Sequence, residues 1–175
     1  LTMASDILTF SADIPSLDRA QEIVSEAANA GIDGKEWLDK VKSLNEGGIK
    51  FQKVKREVQF FCLNNGCLCG VADEAMCEIA IDIQEKAQDS LVFFGGYTNG
   101  YEGYLPTAKE YDKGGYEVLW SNLIYYKYYN RLMPLNRDTA DNLANNIVQR
   151  WKEILDRTNP KHIVIEQKIR NELDR

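Results

Sequence analysis

The residues best equipped for chemistry fall in two places. One is the acidic pair Asp73-Glu74. The other is the run Gly95-Gly96-Tyr97-Thr98-Asn99-Gly100-Tyr101-Glu102-Gly103-Tyr104-Leu105-Pro106-Thr107. Carboxylate, phenol and amide groups accept hydrogen bonds, hold protons or orient polar ligands. The glycines let the backbone turn tightly, so several tyrosines and Asn99 can be held at fixed angles beside the end of a strand. By spacing alone the favoured reading of the run is a packed surface loop, and that of Glu74 an acid stabilised by the dipole of a helix's first turn. Only convergence of the two at one sheet edge raises them to a candidate site.

The single histidine, His162, is the most restrictive count. A catalytic triad or a multi-histidine metal site cannot be assembled from this chain alone. Four cysteines, Cys62, Cys67, Cys69 and Cys77, sit in one short central stretch. They form one Cys-x-Cys inside an apolar run rather than the paired Cys-x-x-Cys units of a zinc knuckle. Strand alternation sets Cys67 and Cys69 side by side on one face, so these thiols read as small buried apolar side chains. Unpaired thiols lean toward a reducing, cytoplasmic setting without fixing a compartment.

The 175 residues, with 44% hydrophobic and 27% charged side chains, suit one domain with a buried core. A net charge of −6 argues against a nucleic-acid partner, which demands a concentrated basic face. No run has the roughly 18 apolar residues of a transmembrane helix, and Leu1 to Asp6 has neither the basic nor the apolar region of a signal peptide. That opening reads as the middle of a longer protein.

Periodicity supplies the frame. Ile7 to Ala12 alternates as an opening strand. Ser16 caps a helix with Leu17, Ala20, Val24 and Ala27 on one face, and Gly31 stops it. Asp33 and Glu36 form a capping box for a second helix that buries Trp37, Leu38, Val41 and Leu44. Glu57 to Leu63 and Cys67 to Val71 flank Asn64-Asn65-Gly66, a hairpin signal. With Asp73 as N-cap, Met76, Ile79, Ala80, Ile83 and Ala87 give a helical stripe, and Ser90 to Phe94 reads as a further strand. Strand, helix and strand make a βαβ unit, so the two strands are expected to be parallel and their following loops to share one crevice.

Beyond it, Thr107 to Lys113 reads as a short helix, Tyr116 to Leu119 as an extended piece, and Leu123 to Leu132 as helical. Asp138 caps the clearest helix, with Ala140, Leu143, Ala144, Ile147, Val148, Trp151, Ile154 and Leu155 on its buried side. Asn159-Pro160 breaks that helix, and Lys161 to Arg175 forms a tail, read as a strand or short helix. The expected class is α/β: a mixed sheet with a β-hairpin and a βαβ unit, and helices packed on the sheet.

Phe93 to Val118, FFGGYTNGYEGYLPTAKEYDKGGYEV, resembles a stretch near the end of the catalytic domain of neutral/alkaline, non-lysosomal ceramidase-like hydrolases. Glu57 to Gln84 is similar to that family's strand, hairpin, strand and helix segment, with Ala72-Asp73 where the family has Pro-Gly. Arg131-Leu132-Met133-Pro134 and the helix after it resemble the domain's closing element. The resemblance covers about Ile7 to Leu155, and Asn-Gly-Tyr followed by Gly-Tyr-Leu-Pro-Thr is its most specific part.

The resemblance implies that residues 1–158 are the C-terminal part of such a catalytic domain and residues 159–175 a tail. It implies an active-site zinc held by two histidines, a glutamate and a tyrosine, acting on the amide of an N-acylated sphingoid base. Carried over residue by residue, the metal ligands here are Glu74 and Tyr101, with Tyr104 as the alternative tyrosine; Asn99 and Tyr104 position substrate or loop. The histidines would come from an upstream N-terminal part of the same protein, its expected partner, and the substrate would be an N-acyl lipid or another amide. The alternative is a non-catalytic structural or interaction domain that keeps the scaffold.

Overall fold

Strict inward-outward alternation builds the sheet. The computed structural model describes residues 1–158. Strand β1 (Thr2–Asp13) pairs antiparallel along its whole length with β2 (Phe51–Leu63). Both strands reach further than the sequence pattern implied, because their outward positions are a mixture of polar and apolar residues. Asn64-Asn65 turns the chain into β3 (Gly66–Gly70), with Asn64 in the left-handed region at φ 53°. Helix α3 (Cys77–Ala87) then crosses to β5 (Val92–Gly95), which lies parallel to β3 as expected. The four-stranded order is β1-β2-β3-β5. The architecture is the mixed α/β sheet, with hairpin and βαβ unit, that the sequence implies.

Helix α3 and the long α6 (Thr139–Thr158) cover the inner sheet face. Val58, Phe60, Val71, Ile79, Ile83, Leu143, Ile147 and Trp151 meet there, nearly inaccessible to solvent. Most stabilisation of such a face comes from removing apolar surface from water, at about 25 cal/mol per Å². A second core lies between α1 (Leu17–Asn29), α2 (Lys35–Glu46), α5 (Ser121–Tyr129) and the segment before α5, centred on Ile23, Trp37, Val41, Val118, Leu123 and Leu132. The Trp37 indole N–H donates to the Leu132 carbonyl at 2.8 Å and ties α2 to the chain after α5.

Several expectations are corrected. Ser16 does cap α1, accepting from the Arg19 N–H, but Ile23 replaces Leu17 on the buried face and Leu17 is exposed. No capping box opens α2. Asp33 accepts from the Lys35 N–H, and Glu36 pairs instead with Lys127 at 2.6 Å. Asp73 is no N-cap: α3 begins after Met76, because Glu74–Ala75 (β4) pairs in parallel with Tyr104–Leu105 (β6). Glu74 therefore lies on a strand, and the helix-dipole reading of it fails.

Tyr116–Trp120 is a wide π-type turn running into α5, not an extended piece. Val118 and Leu119 both point into the second core, which alternation forbids, and the Asn122 amide donates to their carbonyls. Thr107 caps the short α4 (Ala108–Tyr111). The cysteines are free thiols, with Cys62, Cys67 and Cys69 buried as expected but Cys77 exposed at the start of α3. Among the described residues no helix is long and apolar enough to cross a membrane. The tail from Lys161, with His162, lies outside the described residues.

Candidate functional site

Two chain segments that leave the same sheet edge are sewn together. Parallel pairing of β3 with β5 sends Val71-Ala72-Asp73-Glu74 and Gly96-Tyr97-Thr98 out side by side. Backbone N–H groups of Thr98, Tyr97 and Glu102 donate to the carbonyls of Val71, Asp73 and Ala72 at 2.8–3.1 Å. The Glu74 N–H in turn donates to the Gly103 carbonyl at 2.8 Å, and β4–β6 sets Glu74 in register with Tyr104. The shared crevice expected from the βαβ unit is thus closed by a two-strand ladder.

This path requires its glycines. A Cβ on Gly96 would sit 2.5 Å from the Asp73 carbonyl oxygen. One on Gly103, at φ 91°, would strike the Tyr129 ring at 2.9 Å and the Arg131 guanidinium at 3.0 Å. Tyr97 and Asn99 also take left-handed backbone angles, φ 56° and 58°, which cost more for a tyrosine than for an asparagine.

Side chains converge on this ladder. The Glu74 carboxylate beside the Tyr97 hydroxyl, together with burial, pushes the Tyr97 phenol up to about 12. Tyr101 stacks on Tyr97 with ring centres 5.5 Å apart and planes 16° from parallel. The Tyr101 hydroxyl shares a hydrogen bond with that of Tyr129 at 3.1 Å, and the two rings meet edge to face. Burial first, then the charge of Glu74, raises Tyr104 to about 12 as well. Tyr129 is pushed higher still, chiefly by burial and then by its bond to Tyr101. Tyr97, Tyr104 and Tyr129 are therefore all shifted toward the neutral phenol.

Of the four residues singled out in the sequence, Glu74, Tyr101 and Tyr104 share this cluster. Asn99 is exposed at the loop tip, where its backbone makes the turn. Sequence reasoning missed Tyr97, which links Glu74 to Tyr101, and the charged pair beneath. Arg56 donates from Nε to Asp73 Oδ2 at 2.7 Å, with both side chains almost fully buried, and also pairs with Glu102. Burial pushes the Asp73 carboxyl up while Arg56 and Arg131 oppose it. Arg131, equally buried, donates to Asn122, to the Met133 carbonyl and to the Tyr104 carbonyl, and burial brings its guanidinium down to about 10. Arg56 had a signal: it falls in phase with Val54, Val58 and Phe60 on the inward side of β2.

Glu74 and Tyr101 supply two hard oxygen donors of the kind that zinc accepts. Among the described residues no group of three or more His, Cys, Asp or Glu side chains could hold a metal ion.

No family model matches the chain, and no curated protein does. Among solved structures it is similar to neutral ceramidase from Pseudomonas aeruginosa, at 24% identity over 53% of this chain and 16% of that one, with a TM-score of 0.33. The chain thus spans less than a fifth of the length of that protein.

Proposed function

We propose that this chain is the C-terminal portion of the catalytic domain of a zinc-dependent amide hydrolase resembling neutral ceramidase, with Glu74 and Tyr101 as two of the metal ligands. The observation that carries the reading is the placing of Glu74 on the strand paired with Tyr104 while Tyr97, whose phenol the Glu74 carboxylate raises, stacks on Tyr101. It makes one unit of the carboxylate and phenol named by the resemblance. Zinc, when bound, supplies Lewis-acid polarisation of the substrate's amide carbonyl.

The chain's own residues do the positioning. Tyr97 orients the Glu74 carboxylate. Tyr101 would offer its phenolic oxygen to the metal in place of the hydrogen bond it shares with Tyr129. Tyr104, opposite Glu74, and Asn99, at the loop tip, align loop and substrate. The substrate is an N-acyl lipid or another amide. Residues 1–158 belong to the catalytic domain and 159–175 to its tail.

The histidine ligands come from an upstream part of the same protein, which rests on the outer sheet face. That face is unusually apolar for one left in water: Met3, Phe61, Leu68 and Phe93 stand in register across all four strands, 41–73% exposed, beside a groove of about 570 Å³.

The test uses the full-length protein, with metal analysis and an amide-hydrolysis assay alongside Glu74→Gln and Tyr101→Phe. Zinc and activity are expected to fall in both variants. Unchanged metal content in both overturns the reading.

A second reading, a non-catalytic scaffold, is favoured by the Tyr101–Tyr129 hydrogen bond, which leaves the phenol already partnered. It predicts a folded full-length protein with neither zinc nor amide hydrolysis.

A further inference from the structure

The hairpin behind the site holds a pair of thiols that the proposed hydrolysis does not use. Cys62 of β2 and Cys67 of β3 are Cα partners in the antiparallel ladder, and their sulfurs lie 3.3 Å apart. The Cys67 N–H donates to the Leu91 carbonyl of the neighbouring parallel connection, not across to β2. Cys62 and Cys67 are therefore a non-hydrogen-bonded pair, the kind that brings opposed Cα atoms to about 4.5 Å. This lies at the short end of the roughly 4.4–6.8 Å that a disulfide spans.

We propose that Cys62 and Cys67 are a thiol–disulfide site, closing to a reversible cross-strand disulfide when a low-molecular-weight disulfide such as oxidised glutathione is present. One protein thiolate attacks the glutathione disulfide and releases one glutathione thiolate. The second protein thiolate then displaces the other glutathione from the mixed disulfide. The two protein sulfurs are oxidised, two glutathiones are reduced, and the two protons lost by the cysteines go to the departing thiolates.

Access comes from the hairpin's end. The next pair outward is Leu63–Gly66, followed by the exposed Asn64-Asn65 turn, so fraying by one register step uncovers both sulfurs. While the hairpin is closed, burial pushes the Cys62 thiol up to about 12, and the neighbouring Cys69 thiol, with burial, raises Cys67 further. The thiols are thus inert until that opening. Cys69 is the rival partner for Cys67, but two positions along a strand separate Cα atoms by about 6.6 Å, with no ladder to hold the sulfurs together. The bond is reversed by the same thiol–disulfide exchange that forms it. Closing it pins β3 against β2, directly upstream of Asp73 and Glu74.

The experiment uses the full chain carrying Cys77→Ser, which removes the exposed thiol and leaves three of the four cysteines. After native incubation with oxidised glutathione, alkylation in denaturant is expected to find one free thiol, Cys69. Peptide mapping should find the Cys62–Cys67 link, and dithiothreitol should restore all three thiols. Adding Cys69→Ser should leave the link intact. Three free thiols after incubation, or a link through Cys69, overturns the proposal. The mapping needs no change at Cys62 or Cys67, so misfolding of a variant there cannot decide it.

Discussion

Arg56 and Asp73 form an ion pair, Nε to Oδ2 at 2.7 Å, with both side chains almost fully buried immediately beneath the strand that carries Glu74. Burying both charges is costly, and the pair offsets only part of that cost: Arg56 takes Asp73 Oδ2 while Asp73 Oδ1 is buried without a hydrogen-bond partner, and Glu102 and Arg131 add to the field. Its main effect is geometric: it fixes the Ala72-Asp73 turn from below. Arg56→Met leaves Asp73 as an unpaired buried charge, so we expect a loss of about 3–5 kcal/mol. For a chain of this size that is a fall in Tm on the order of 10 °C, read by calorimetry. The double variant Arg56→Met with Asp73→Leu should recover much of it, and a double variant no more stable than the single would sink this account.

Gly95 and Gly96 are neighbours with opposite expectations. A Cβ on Gly95 meets nothing within 4 Å, whereas one on Gly96 lies 2.5 Å from the Asp73 carbonyl and 3.0 Å from the Ala75 nitrogen. Gly96→Ala must push the loop off the Glu74 strand, at about 1–3 kcal/mol by the usual cost of overpacking. Gly95→Ala should stay within about 0.5 kcal/mol of the parent. Urea titration of the two variants checks the contrast, and equal midpoints would refute it.

What the sequence made legible follows from how far each pattern extends. Helix α6 was readable because Ala140, Leu143, Ala144, Ile147, Val148, Trp151 and Ile154 repeat a helical stripe over several turns, and all are buried. The hairpin was readable because Asn64-Asn65-Gly66 fixes a turn locally. Glu74–Ala75 was not: two residues carry no period, and their partner, Tyr104–Leu105, lies thirty positions away. Asp73 is ambiguous in the sequence because the same carboxylate serves as a cap or as a buried ion, and only Arg56 decides between them. In Tyr116–Trp120, two adjacent core residues defeat alternation. Thus the ends of β3 and β5 were locatable from sequence, while Tyr97, which joins Glu74 to Tyr101, became visible only with the loop's left-handed turns.

The outer sheet face gives a prediction that needs no zinc. Met3, Phe61, Leu68 and Phe93 are opposed strand to strand and point away from the core. An apolar row of that kind binds hydrophobic dyes and promotes association. Phe61→Gln with Leu68→Gln should lower anilinonaphthalene sulfonate fluorescence and reduce self-association in sedimentation. The stability change should be small, within about 0.5 kcal/mol per site, because neither side chain fills the core. Undiminished dye binding would locate the apolar surface elsewhere.

Tyr97 provides the sharpest check on the Glu74 cluster. Its phenol is raised from the ordinary value of 10.0 to about 12 by the Glu74 carboxylate beside its hydroxyl, together with burial. A group whose folded pKa lies above its unfolded one stabilises the fold fully below the unfolded value and loses that contribution as pH climbs through the folded one. Stability should accordingly erode between about pH 10 and 12, with Tyr104 titrating over the same window. Glu74→Gln keeps an acceptor but removes the negative charge, so phenolate formation at Tyr97 should move to lower pH. Phenolate absorbance, compared in Tyr97→Phe and Glu74→Gln, assigns the transition. If Glu74→Gln leaves the curve where it was, the carboxylate does not face Tyr97, and the contact that couples Glu74 to Tyr101 is lost with it.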